Sequence, residues 1–161
     1  MKAVHLPEKL LSEIRAHARE AYPEECCGFL IGPANEPEQI AERTILALER
    51  AGNEFEGERR RRFLIPPEEL RILERRLEKT GQVVVGFYHS HPDHPARPSR
   101  FDQDHAWPWY SYLVMAVTAS DTPAIGAFEL EPDSATFHEV PLSVAGQGPT
   151  GASVTPGLGR A

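Results

Sequence analysis

The chain has 161 residues, 40% hydrophobic and 25% charged, which is enough apolar material for the core of one ordinary domain. Lys and Arg number 17 against 24 Asp and Glu, so the net charge is −7, which argues against duplex DNA or an anionic membrane as the main partner. No run approaches 18 apolar residues, the N-terminal stretch lacks a secretory h-region, and the two cysteines, Cys26 and Cys27, are adjacent. A reduced, cytoplasmic setting is the expectation.

Residues 7–21 read as a helix: Pro7 suits a first helical position, Leu10, Ile14, Ala18 and Ala21 form one apolar stripe, and Tyr22-Pro23 ends it. Cys26–Ile31 is a short apolar run and reads as a buried strand. Residues 39–49 are ambiguous by period, and the turn signals Gly32-Pro33 and Gly52-Asn53 favour a strand. Arg62–Ile65 reads as another short strand. Pro66-Pro67 opens a helix whose stripe is Leu70, Leu73 and Leu77 and which stops at Thr80-Gly81. Val83–Tyr88 is continuously apolar, a strand covered on both faces, followed by a polar, proline-rich loop from His89 to Pro98. Further strands are expected over 111–118, 124–130 and 135–140, the last two paired through the turn at 131–134. From Gly146 onward the chain is a Gly, Pro, Ser and Thr tail with too little apolar surface to order itself. The expected architecture is α/β: one mixed sheet with helices packed on it, a domain over 1–145, and a disordered tail over 146–161.

The charges are uneven: residues 1–80 hold 14 basic and 16 acidic side chains, residues 81–161 only 3 and 8. The acidic half carries His89, His91, His94, His105 and His138. His89 and His91 follow a buried strand, and in extended backbone they point the same way, about 7 Å apart along the chain. That is a workable bite for one zinc ion, although two such histidines are also ordinary polar loop residues. Ser99-Arg100-Phe101-Asp102 has the capping-box form, so Ser99 caps a short helix running to about Trp107-Pro108. A loop folding back can bring Asp102 to the same metal. Two histidines and one carboxylate leave a position for water, the pattern of catalytic zinc. A general base is then needed, and Glu24 and Glu25 lie at the entrance of a buried strand beside Gly28.

Pro23-Glu24-Glu25-Cys26-Cys27-Gly28, then His89-Ser90-His91-Pro92, then Pro98-Ser99-Arg100-Phe101-Asp102, resembles the JAMM metalloprotease motif of the MPN family. Ten residues separate His91 from Asp102, and Ser99 stands three before it, both as in the family pattern. The resemblance covers roughly residues 1–142. It implies a cytidine-deaminase-like curved mixed sheet flanked by helices, and a zinc peptidase with one zinc per chain on His89, His91 and Asp102. It also implies Glu25 as the base and Ser99 as the hydrogen-bond donor to the oxyanion. The implied substrate is a ubiquitin-like protein or sulfur carrier, cut after its terminal Gly-Gly from a lysine or a cysteine. Alternatives are a metal-free MPN scaffold, which lacks the ligand set present here, and a RadC-like DNA-repair-associated protein, which carries a helical DNA-binding segment. The composition implies no membrane partner, makes nucleic acid an unfavoured one, and leaves the oligomeric state open.

Several residues have plainer readings. Cys26 and Cys27 are packing in a strand, Glu24 is a solvated neighbour, and His94 and His105 are loop residues near the site. Arg59–Arg62 is a solvated edge beside Glu54, Glu56 and Glu58, with docking of an acidic partner as the alternative. Trp107, Trp109 and Tyr110 are core or rim packing.

Overall fold

The computed structural model describes residues 2–37, 41–119 and 124–145. In chain order the elements are β1 (Ala3–Pro7), α1 (Glu8–Ala21), β2 (Cys27–Pro33), β3 (Glu42–Thr44), β4 (Ala47–Ala51), α2 (Pro67–Leu77), β5 (Gln82–Pro92), α3 (Arg100–Asp104), β6 (Ser111–Val117), β7 (Ala124–Leu130), β8 (Phe137–Val140) and β9 (Leu142–Ala145). The tail expected over 146–161 lies outside the described residues.

The strands form two sheets rather than the single one expected. Six make a mixed sheet in the order β4-β2-β5-β6-β7-β8, in which only β5 and β6 run parallel. The others make a parallel sheet, β3-β1-β9. The ambiguous 39–49 stretch splits between the two sheets, Glu42–Thr44 joining one and Ala47–Ala51 opening the other.

Side chains alternate across the large sheet, so each face receives its own helix. Leu10, Ile14 and Ala18 of α1 bury against Val85, Tyr88, Leu113 and Met115. Leu73 of α2 buries against Phe29, Val84, Phe87, Tyr112 and Val114. Each large apolar side chain taken from water in this way contributes about 1.5–3 kcal/mol. Gly86 allows the tight β5–β6 crossing opposite Ser111: a Cβ there would stand 2.0 Å from the Ser111 carbonyl oxygen.

Two further expectations are corrected. Arg62–Ile65 is irregular, because Asn53 takes up its backbone groups: Asn53 Nδ2 donates to the Arg62 carbonyl (3.0 Å) and Leu64 N–H donates to Asn53 Oδ1 (3.2 Å). The loop expected to begin at His89 is instead strand, since β5 runs on to Pro92 with His89 paired to Val114 and His91 to Ala116.

Arg43 is fully buried, which its charge does not suggest. The β2–β5 register jumps between Leu30 and Ile31 and leaves Val85 out of the ladder. Arg43 Nη1 reaches the Val85 carbonyl (2.9 Å) and the Trp109 carbonyl (2.8 Å), while its Nε pairs with Glu36 (3.2 Å). One cation thereby joins the small sheet to the large one and to the segment before β6.

Candidate active site

The C-terminal end of β5 carries the site. Phe87, His89 and His91 share the α2 face, and Ser90 points to the opposite one. Ser90 is fully buried there, and its Oγ accepts from Cys26 N–H at 2.8 Å while its own N–H donates to the Cys26 carbonyl at 3.1 Å. The chain just before β2 is thus held to the strand that presents the histidines. Glu25 is fixed further by its N–H donating to the Arg59 carbonyl (2.8 Å) and by Asn53 Nδ2 donating to its carbonyl (3.2 Å).

The Ser99 capping box forms as expected: Ser99 Oγ accepts from Asp102 N–H (3.0 Å), and Asp102 Oδ2 accepts from Ser99 N–H (2.8 Å). The helix it caps ends at Asp104, short of Trp107. This single turn delivers Asp102 to the histidines. Asp102 Oδ2 stands 3.0 Å from both His89 Nε2 and His91 Nε2, which are 3.1 Å from each other.

Three buried donor atoms at these separations resemble one face of a metal tetrahedron, whose edge is about 3.3 Å for bonds of about 2.0–2.1 Å. The surroundings fit an ion. His91 Nδ1 lies 2.9 Å from the Pro95 carbonyl; a hydrogen on that nitrogen leaves Nε2 with its lone pair directed inward. His89 is held by stacking on Phe63, centroids 4.5 Å apart. Asp102 Oδ1 and Glu25 Oε1 are buried polar atoms with no hydrogen-bond partner in the protein. His89, His91 and Asp102 are the one group among the described residues able to hold a metal ion.

Electrostatics separates the two carboxyls. Burial pushes Asp102 up, but the adjacent His89 and His91 imidazoles and the hydrogen bond from Ser99 N–H outweigh it and hold the group well below the usual carboxylate range. Glu25 has no such partner: burial, then the Asp102 charge, push it up to about 9. Glu24 is exposed, as expected. Cys26 and Cys27 are free and buried, and burial pushes the Cys26 thiol up to about 11, which suits packing rather than attack. Gly28 leaves room for the Tyr88 ring, which lies across it.

A cleft of about 470 Å³ opens on Glu25, His91 and Ser99. Beside it, a mainly apolar groove of about 660 Å³ passes Phe63, Leu64, His89, Asp102 and Trp107. Trp107 and Trp109 are about half exposed and so belong to the rim rather than the core. His94 lines the cleft and His105 the groove. Sequence reasoning missed Phe63, Ser90 and Asn53. Only Ser90 carried a signal, its place between two same-facing histidines.

The sheet, the capped turn and the two-histidine, one-carboxylate cluster define an MPN-type domain. The chain belongs to the JAB family: residues 7–130 match the group described as prokaryotic homologs of the JAB domain. It is 35% identical over 108 residues to the desampylase of Haloferax volcanii, covering 66% of this chain and 73% of that protein. The solution structure of a protein from Desulfitobacterium hafniense superposes with a TM-score of 0.75 at 29% identity, covering 89% of this chain and 94% of that one. One from Salinibacter ruber superposes with a TM-score of 0.63 at 36% identity, covering 88% and 90%.

Proposed function

We propose that the chain is a zinc-dependent isopeptidase that hydrolyses the bond after the C-terminal Gly-Gly of a ubiquitin-like protein or sulfur carrier. Its family and its desampylase relative support a hydrolase acting on a ubiquitin-like modifier. The observation that carries the reading is the convergence of His89 Nε2, His91 Nε2 and Asp102 Oδ2 beside a buried, unpartnered Glu25.

His89, His91 and Asp102 would hold one zinc ion, which when bound supplies Lewis acidity and a water of lowered pKa. Glu25 takes a proton from the attacking water and passes it to the nitrogen of the leaving amine. Its carboxyl suits that traffic because no other group in the protein competes for Oε1. Ser99 uses its oxygen to accept from Asp102 N–H, so its own hydrogen remains to donate to the developing oxyanion in the cleft. Asp102 is held ionised by its hydrogen bonds and His91 is oriented by Pro95. The desampylase relative favours a lysine side chain as leaving amine; release of cysteine from a sulfur carrier uses the same chemistry. A cytoplasmic setting fits the two reduced cysteines, and no helix among the described residues is long and apolar enough to cross a membrane.

The test is cleavage of a ubiquitin-like protein joined through its terminal glycine to lysine or to cysteine, with zinc measured in parallel. Glu25→Gln should keep the metal and lose about 10²–10⁴-fold in kcat, and Glu24→Gln should be mild. Unchanged cleavage in Glu25→Gln, or in the presence of chelator, would overturn the assignment.

A further inference from the structure

The Arg59–Arg62 run does not lie on a remote edge. The N–H of Glu25 bonds to the Arg59 carbonyl, which anchors the run to the base itself. Arg61 and Arg62 line the cleft on one side, and Arg97 and Arg100 line it as well. The second half of the sequence has only three basic residues, Arg97, Arg100 and Arg160, and two of them stand here. Among the described residues, the sole acidic one lining the cleft is Glu25, which is buried. An otherwise acidic chain thus lines this side of its reaction centre with positive charge, while the adjoining groove carries Asp102 and Asp104.

These cations are not consumed by the fold. Among the described residues, Arg61, Arg62 and Arg97 make no ion pair. Arg100 meets Asp104 only at 3.4 Å on a well-exposed surface, a pair of little strength. Glu58 accepts from the Arg60 backbone N–H rather than from a neighbouring guanidinium. The Arg62 guanidinium lies over the Phe101 ring, 4.6 Å from its centroid, so one cation is positioned in advance next to the α3 turn.

We propose that this arginine rim recognises acidic side chains of the protein substrate next to the scissile bond, so that the site prefers acidic carriers or targets and attracts them by long-range steering. The inference rests on the isopeptidase reading for the bond that is cut, but the binding preference belongs to the rim alone. A protein segment is favoured over nucleic acid because the rim flanks a peptidase cleft and the whole chain is acidic.

The probes are two fluorescent peptides carrying the same Gly-Gly isopeptide junction, flanked by Asp and Glu in one and by Asn and Gln in the other. Binding is read by anisotropy on zinc-loaded Glu25→Gln. The acidic peptide should bind about tenfold tighter at low salt, and the preference should largely vanish in salt near 0.5 M, roughly, where charges are screened. Arg61→Glu combined with Arg97→Glu should abolish the preference. Arg75→Glu, on α2 and away from the cleft, changes the net charge and should leave it intact. Equal binding of the two peptides, or an equal loss in Arg75→Glu, would overturn the rim. So would tighter binding of a single-stranded oligonucleotide of matched charge, displaced by the same Arg61 and Arg97 changes. Wild-type cleavage of both peptides with equal efficiency would reject the rim and keep the hydrolase. Tight, rim-dependent binding of the acidic peptide without any cleavage would reject the hydrolase and keep the rim.

Discussion

Glu25 gives the sharpest physical test, because its cost to the fold and its proposed use in the chemistry have one origin. Glu25 is 2% exposed, and burial followed by the Asp102 charge raises its carboxyl from 4.5 to about 9. In metal-free protein the folded state therefore keeps a proton that the unfolded chain has released. Below about pH 4.5 both states hold the proton and there is no penalty; through the window up to about pH 9, stability falls as pH rises. The slope is about 1.4 kcal/mol per pH unit, which amounts to about 4 kcal/mol between pH 5 and pH 8. Glu25→Gln cannot titrate and lacks this term. Urea unfolding of both proteins in chelator at several pH values gives the difference directly, and other titrating groups cancel. The variant should gain on the wild type by about 4 kcal/mol over that range, whatever the fixed cost of burying its amide. Added zinc should flatten the slope, since a dication beside the group favours its ionised form. A difference that stays constant from pH 5 to pH 8 would refute the reasoning.

His91→Ala and Asp102→Asn should each leave the purified protein with little zinc by elemental analysis, and full occupancy in both would remove the ligand assignment. Ser99→Ala should cost about 1 kcal/mol through loss of the cap, and about 10²-fold in kcat if its hydroxyl also serves the oxyanion. A loss of stability in urea with kcat unchanged would reduce Ser99 to a cap. Gly86→Ala should destabilise by more than about 2 kcal/mol, because the new Cβ meets the Ser111 backbone rather than a side chain that can turn away. A neutral result in urea unfolding would mean that β5 and β6 can part more easily than their register suggests.

What the sequence disclosed was what short-range geometry determines. The capping box needs only Ser99 and Asp102 three residues apart, and His89 and His91 share a face because strand side chains alternate. The helical stripes through Leu10, Ile14 and Ala18, and around Leu73, are likewise local patterns. The failures are all tertiary. Ala3–Pro7 is only five residues long, and its partners are Glu42–Thr44 and Leu142–Ala145, far along the chain. Phe63-Leu64-Ile65 has strand composition, yet Asn53 occupies its backbone, Phe63 turns onto His89, and the groove takes the rest. Nothing in the sequence marks Arg43 as buried; its place depends on the β2–β5 register shift that leaves the Val85 carbonyl free to accept from it.

The alternation of β5 also explains how two distant sequence signals come to form one site. The same-facing pair, His89 and His91, puts both proposed metal ligands on one side of the strand, while Ser90 between them faces the other way and bonds to Cys26. A shift of β5 along β2 would break the Ser90–Cys26 bonds and part His89 and His91 from Glu25, so these bonds fix the two signals relative to each other. Asn53 and the Arg59 carbonyl then fix Glu25 from the side of the arginine loop. Glu25, the proposed base, is therefore held through the backbone by Ser90, Asn53 and Arg59, while its Oε1 has no partner within the protein. That leaves its free oxygen available to a reacting proton, at the energetic cost that the pH series above measures.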